Sequence, residues 1–295
     1  MQKLGFYILK CWMDFLSVHP FWLLYMKSDV YYLLVYHVFR YRRKVVRENL
    51  LRSFPEKGSK EIKTIEKHFY RNLCDLFVEA PKMMRVGPNG YSKRITYTNP
   101  EIARQLYEQK KNVFYAIPHS GNWEWFGKMI PSLSQHNGLA VYKQVQNPVF
   151  EQLMMYMRTK GIVLEMVESN SVLRRLVQLR DNQNAVLMMA DQTPHGLASD
   201  YWTEFLHQDT CWFTGIERIA KKLDYAIVFV GMKRQGRGRY EVTFEVIVDN
   251  PKETESGEIM EKYVRCVERF IQENPDNWLW SHRRWKHQRP QTEKA

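Results

Sequence analysis

Val113-Phe-Tyr-Ala-Ile-Pro-His-Ser-Gly-Asn-Trp-Glu124 decides how the rest of the chain is read. Val113-Pro118 is a short apolar run of the kind that fills a buried strand. Gly121 supplies a tight turn, and Asn122 is a good N-cap for a helix over Trp123-Ile130. A polar loop between a buried strand and a capped helix is where α/β sheets carry reactive groups, just past the carboxyl ends of the strands. The spacing is informative too. On one continuous helix, positions five apart are rotated by about 140° and diverge. His119 and Glu124 can therefore meet only across a turn. With Glu124 in the first helical turn, the helix dipole keeps its carboxylate ionised and facing back toward the imidazole. Glu124 then orients one ring nitrogen while the other takes a proton, the base-plus-orienter half of a triad without a protein nucleophile.

Around this stretch, Leu139-Lys143, Ile162-Met166, Ala185-Ala190 and Tyr225-Gly231 read as further strands. Arg239-Asp249 is expected to run antiparallel to its neighbour across the short Lys233-Gly238 turn. Asn99-Pro100 and Asn147-Pro148 each place a capping Asn before a Pro at the first helical position, and Gly161 stops the second of these helices. Amphipathic helices are expected over Glu61-Ala80 and Glu258-Ile271, where apolar residues recur at helical spacing. Strands alternating with helices predict an α/β fold with a mostly parallel central sheet flanked by helices. The expected organisation is an N-terminal helical segment over 1-47, one α/β domain over 48-290 and a polar tail over 291-295.

Residues 12-39 are the most hydrophobic region, but His19-Pro20 and Lys27-Ser28-Asp29 interrupt it short of the ~20 apolar residues a span needs. No small-residue cleavage site follows, and Phe15-Met26 and Val30-Phe39 are rich in aromatic residues. An anchor or re-entrant helix pair is favoured over a signal peptide. The basic run Arg40-Arg47 suits an anionic cytoplasmic surface; the alternative is a buried helical hairpin with a solvated basic edge. The net charge of +12, from 44 Lys+Arg against 32 Asp+Glu, attracts polyanions: nucleic acid, anionic lipid headgroups or an acidic protein. Cys11, Cys74, Cys211 and Cys266 lie far apart without CxxC spacing, so each reads as a small buried hydrophobe in a reducing compartment. His282-x4-His287 lacks the further ligands of a tetrahedral set, and no metal is expected.

His-x4-Asp/Glu alone is a weak motif, and a second copy, His195-Gly-Leu-Ala-Ser-Asp200, occurs in a Pro-Gly loop with no helix start. The order of several blocks is more specific. Arg47-Glu-Asn-Leu-Leu-Arg-Ser-Phe-Pro-Glu56, His119-Ser-Gly-Asn-Trp-Glu124, Tyr142-Lys-Gln-Val-Gln-Asn-Pro148, Met189-Ala-Asp-Gln192 and Trp278-Leu-Trp-Ser-His-Arg-Arg-Trp-Lys286 follow one another along the chain. Together they resemble the late (secondary) acyltransferases of lipid A biosynthesis, a branch of the lysophospholipid acyltransferase superfamily. The resemblance implies a glycerolipid acyltransferase-like fold with N-terminal membrane-associated helices, on the cytoplasmic face of the inner membrane. It further implies transfer of a fatty acyl group from an acyl carrier protein thioester to a hydroxyl of a lipid A precursor. His119 would be the general base and Glu124 its orienter, with no covalent acyl-enzyme, metal or cofactor.

Other residues gain candidate roles from their positions. Lys143, at a strand end, could hold a phosphate or the developing oxyanion, or be a solvated lysine. Asn147 could contact substrate or simply cap a helix. Asp191 and Gln192 could orient substrate or cap the following loop. Arg283-Arg284 could clamp a phosphate, or belong to a structural aromatic lock with Trp278, Trp280 and Trp285. Arg218 reads as part of a solvated helical face. The basic surface would serve the carrier protein and the anionic membrane rather than nucleic acid. Three rivals remain: the same chemistry on a glycerophospholipid or other lipid hydroxyl, a noncatalytic membrane adaptor, and a basic nucleic-acid-binding protein. The last is suggested by Arg40-Arg47 and by Arg234-Gln-Gly-Arg-Gly-Arg239, although that run is expected as a solvated turn between strands. A serine hydrolase is disfavoured because there is no Gly-x-Ser-x-Gly elbow.

Overall fold

The computed structural model describes residues 2–85, 88–91, 93–194 and 201–289. The second motif copy, His195-Asp200, and the tail 291-295 lie outside the described residues. Helices α1 (Gln2–Val18) and α2 (Phe21–Tyr32) are separated at His19-Pro20, and α2 continues into a π-helical turn over Leu33–Val38. Helices α3 (Arg43–Ser53), α4 (Ser59–Glu79) and the single turn α5 (Pro88–Tyr91) follow. The alternating part comprises β1 (Ile95–Tyr97), α6 (Glu101–Glu108), β2 (Asn112–Ala116), α7 (Trp123–Leu133), β3 (Asn137–Tyr142) and α8 (Pro148–Thr159). It continues with β4 (Glu165–Glu168), α9 (Val172–Gln178) and β5 (Asn184–Met188). Next come the hairpin β6 (Tyr201–Phe205) and β7 (Gln208–Trp212), then α10 (Gly215–Leu223). Strands β8 (Tyr225–Gly236) and β9 (Arg239–Val248) and helix α11 (Glu258–Glu273) complete the series.

The central sheet has the order β1-β9-β8-β2-β5-β3-β4. Strands β8, β2, β5, β3 and β4 are mutually parallel, as expected, and β9 is antiparallel to β8. Alternation along β2 divides the core between the two faces of the sheet. Val113 and Tyr115 pack with α7 and α8, whereas Phe114 and Ala116 pack with α4 and α11. The two layers bury nearly every apolar side chain of the central strands, the arrangement that makes parallel strands read as continuous apolar runs.

Local differences from expectation have physical causes. The fourth strand begins at Glu165 rather than Ile162, because Ile162-Leu164 bring the chain out of α8 and leave Val163 exposed. Asn99 does not cap α6; its amide instead bridges to the Phe244 backbone, donating to the carbonyl at 2.6 Å and accepting from the N–H at 2.9 Å. The β6-β7 hairpin was not anticipated. Its turn residues, Leu206 and His207, both take positive φ angles of 49° and 62°, where hairpins usually carry Asn or Gly.

Among the described residues, no helix is long and apolar enough to cross a membrane. Helix α1 packs on α8 and α2 on α4. Leu4, Ile8, Trp12 and Phe15 of α1 and Trp22, Met26 and Val30 of α2 face outward, each half or more exposed. Cys11 is exposed as well, unlike the other three cysteines. The basic cluster is only partly a surface. Arg43 and Arg47 turn inward to the fully buried Glu66, and Arg42 donates to the Ser281 carbonyl at 2.9 Å.

Candidate active site

Strands β2 and β5 lie side by side with Ala116 opposite Met188, and the Ile117 N–H reaches the Met188 carbonyl at 3.2 Å. The loops that leave their carboxyl ends are therefore neighbours, although 72 residues separate His119 from Asp191. His119 Nδ1 lies 2.6 Å from Asp191 Oδ1, and the His119 backbone N–H donates to Oδ2 at 2.9 Å. The Trp278 indole N–H donates to the same Oδ2 at 2.8 Å. Asp191 is only 1% exposed. Burial by itself would raise its pKa, but the His119 charge and hydrogen bonds, with that of Trp278, hold it down at about 2. An ionised carboxylate can only accept, so Nδ1 carries the ring proton. The Nε2 lone pair is then left for chemistry.

Glu124 has a different partner. Its carboxylate is gripped bidentately by Arg158, from Nε at 2.9 Å and Nη2 at 2.6 Å. The expected contact between Glu124 and His119 is thus corrected: the carboxylate that bonds His119 is Asp191. Glu124 sits in the first turn of α7, as expected, but that turn faces the last turn of α8, where a planar guanidinium matches a carboxylate better than one ring nitrogen can. His119, Glu124 and Arg158 nonetheless line one cleft, of about 860 Å³. Its lining includes the apolar Gly127, Leu164, Met166 and Leu187 as well as the exposed Lys143 and the half-buried Gln192.

The turn that carries His119 is fastened from two sides. The C-terminal segment bonds to it through Leu279 N–H to His119 O at 3.0 Å and Gly121 N–H to Asn277 O at 3.1 Å. Asn122 caps α7 by accepting from Trp125 N–H at 3.1 Å, and its own amide donates to Glu79 at 2.7 Å. Glu79 is fully buried and also accepts from the Tyr240 hydroxyl at 2.6 Å and the Tyr25 hydroxyl at 3.0 Å. Burial pushes its carboxyl pKa up against the pull of the Tyr240 and Asn122 hydrogen bonds. Gly121 has φ +59°, and a Cβ there would lie 2.4 Å from the Met232 carbonyl oxygen. Gly121→Ala is accordingly expected to cost about 2 kcal/mol or more of stability, measured by denaturant unfolding. A change below ~0.5 kcal/mol would contradict the close approach.

The remaining expectations divide. Lys143 is an exposed residue of the cleft, and Gln192 lines it beside Asp191. Asn147 is a helix cap, accepting from Val149 N–H at 3.0 Å and Phe150 N–H at 3.3 Å. The Arg283-Arg284 phosphate clamp is corrected. Arg283 is exposed, while Arg284 is 1% exposed, donates to the Cys211 carbonyl at 2.7 Å and lies over the Trp212 ring. Two adjacent side chains on an irregular segment point apart, and the aromatic lock takes the second. Burial lowers the His282 pKa to about 4, and its Nε2 accepts from Thr193 N–H at 3.1 Å. Among the described residues, no group of three or more His, Cys, Asp or Glu could hold a metal ion. Sequence reasoning passed over Arg158 and Glu79. The signal for Arg158 was a lone arginine closing the apolar run Leu153-Met-Met-Tyr-Met157.

A family model described as bacterial lipid A biosynthesis acyltransferase matches residues 6–287. The chain belongs to that family. One 112-residue stretch is 25% identical to "Lipid A biosynthesis acyltransferase 2" of Shigella flexneri, covering 38% of this chain and 35% of that relative. The lipid A acyltransferase family match runs across α1 and α2 as well as the sheet, so the N-terminal helices and the His119–Asp191 site fall within a single family unit.

Proposed function

We propose that this member of the lipid A acyltransferase family moves a fatty acyl group from an acyl carrier protein thioester to a hydroxyl of a lipid A precursor. The observation that carries the reading is that His119 commits its Nδ1 to an ionised Asp191 and lines a cleft that also presents the apolar Leu164, Met166 and Leu187. In the proposed step, the acceptor oxygen bonds to the thioester carbonyl carbon while Nε2 takes the hydroxyl proton. Asp191 stabilises the imidazolium that forms. The carbonyl oxygen gains negative charge, for which Arg158 offers the Nη1 not used by Glu124, and Lys143 a second cation in the cleft lining. Collapse breaks the C–S bond, and the imidazolium returns its proton to the departing thiolate. No acyl-enzyme forms.

The full chain is to be assayed with acyl carrier protein thioesters against lipid A precursors and lysophospholipids, products being weighed by mass spectrometry. One added acyl group on the lipid A precursor alone is expected. Acylation of the lysophospholipid alone would replace the acceptor, and turnover of neither would end the reading. A nucleic-acid role is disfavoured because Arg234 and Arg237 are held by Asp75 and Asp29, which leaves the Arg-Gly run little free charge.

The same proposal places the protein on the cytoplasmic face of the inner membrane, lying on the bilayer rather than through it. The outward stripe of α1 and α2 supplies apolar residues at helical spacing, with Trp12 and Trp22 suited to the headgroup level. Trp12→Ser/Trp22→Ser is expected to reduce co-sedimentation with anionic phospholipid vesicles by at least about tenfold. Unchanged partitioning would remove this surface from the proposal.

A further inference from the structure

Lys128 is a charged residue of the cleft that the proposed reaction does not use. It lies on α7 one helical turn beyond Glu124, so it shares that helix face and lines the same cleft. It is 2% exposed. Among the described residues its hydrogen-bond acceptor is the Lys160 carbonyl, at 2.5 Å, and no carboxylate pairs with it. An ammonium has three N–H donors, so two have no described partner. The cleft that it lines also presents the apolar Gly127, Ala140, Leu164 and Leu187. Burial, followed by the nearby Lys160 charge, lowers its pKa to about 8, so it remains partly to mostly protonated near neutral pH. A slot meant for plain hydrocarbon would be lined at less cost by methionine or leucine, because a buried charge without a counter-ion is strongly disfavoured.

We infer that Lys128 forms a polar subsite within the acyl slot, and that the preferred donor carries an oxygen function, such as a hydroxyl, part-way along its chain. The inference rests on the cleft being an acyl site. The oxygen would accept from the free Lys128 N–H groups while the carbons on either side contact Leu164, Met166 and Leu187. Charged-donor hydrogen bonds discriminate well, since an unsubstituted chain displaces water and leaves two of the ammonium N–H groups without an acceptor.

The test uses the full chain with His119→Ala, which removes turnover, and measures binding by quenching of tryptophan fluorescence. The probes are dodecanoyl-N-acetylcysteamine thioester and a series of the same thioester bearing one hydroxyl at successive carbons. At one position of the series, binding is expected to be at least about tenfold tighter than for the plain chain. That preference is expected to vanish in His119→Ala/Lys128→Met. Equal affinity for plain and hydroxylated chains in the His119→Ala protein overturns the subsite and leaves the acyl slot standing. Binding of neither removes the acyl slot itself, and the subsite with it. Should Lys128→Met lower the melting temperature and leave the preference unchanged, Lys128 is only a cap for the end of α8, and the inference fails.

Discussion

Asp191→Asn is expected to lower acyl transfer by about 10⁴-fold, the scale seen when the orienting carboxylate of a base pair becomes an amide. An amide can turn its NH₂ toward His119 Nδ1, which moves the ring proton to Nε2 and leaves no lone pair for the acceptor hydroxyl. His119→Ala is expected to cost a similar factor, and the double variant little more than either, because the two residues act as a unit. Steady-state turnover with tryptophan fluorescence as a folding control measures this. A loss below tenfold in Asp191→Asn, beside a large loss in Glu124→Gln, would restore Glu124 as the orienter. A second readout follows from the Asp191 pKa, which is held at about 2 against roughly 3.9 in an unfolded chain. Its ionised form stabilises the fold above the unfolded value, and that contribution is lost as pH falls from about 4 to about 2. The wild type should show this acid limb in its unfolding profile, and Asp191→Asn should lack it.

Arg158→Met is expected to lower kcat by about 10² to 10³ with a smaller change in KM, the pattern of a group that meets charge only as it develops. Glu124→Gln should cost less, about tenfold, because it leaves the Arg158 cation in place and removes only its bidentate anchor. This order, arginine above glutamate, separates the observed geometry from the simpler reading of the motif. If Glu124→Gln proved the more damaging change, the carboxylate would have a direct role that its Arg158 contact does not explain. Both side chains are partly shielded, at 22% and 13% exposure, so each variant also needs its stability measured.

Much of the architecture was readable from local pattern. Val113-Pro118, Leu139-Lys143, Ala185-Ala190 and Tyr225-Gly231 are continuous apolar runs because both faces of their strands are covered, and such runs announce themselves. Asn147-Pro148 and Asn122 announced their helices by capping chemistry, which involves only neighbours in sequence. The elements that escaped have weak local signals. β1 has three residues, and the β6-β7 turn uses Leu206 and His207 where a reader looks for Asn-Gly.

The site divides in the same way. Sequence by itself determined that His119 stands at a strand end and Glu124 in the first turn of the next helix, since strand, glycine turn and N-cap are set by adjacent residues. It also placed the candidates Asp191 and Gln192 directly after the Ala185-Ala190 strand. The pairing between these pieces was decided only by tertiary structure. Strand order brings β2 beside β5 and so sets Asp191 against His119, and the packing of α8 against α7 gives Glu124 to Arg158. Hydrogen-bond partners follow distance in space, and a parallel sheet makes neighbours of residues that helices and loops have carried far apart along the chain.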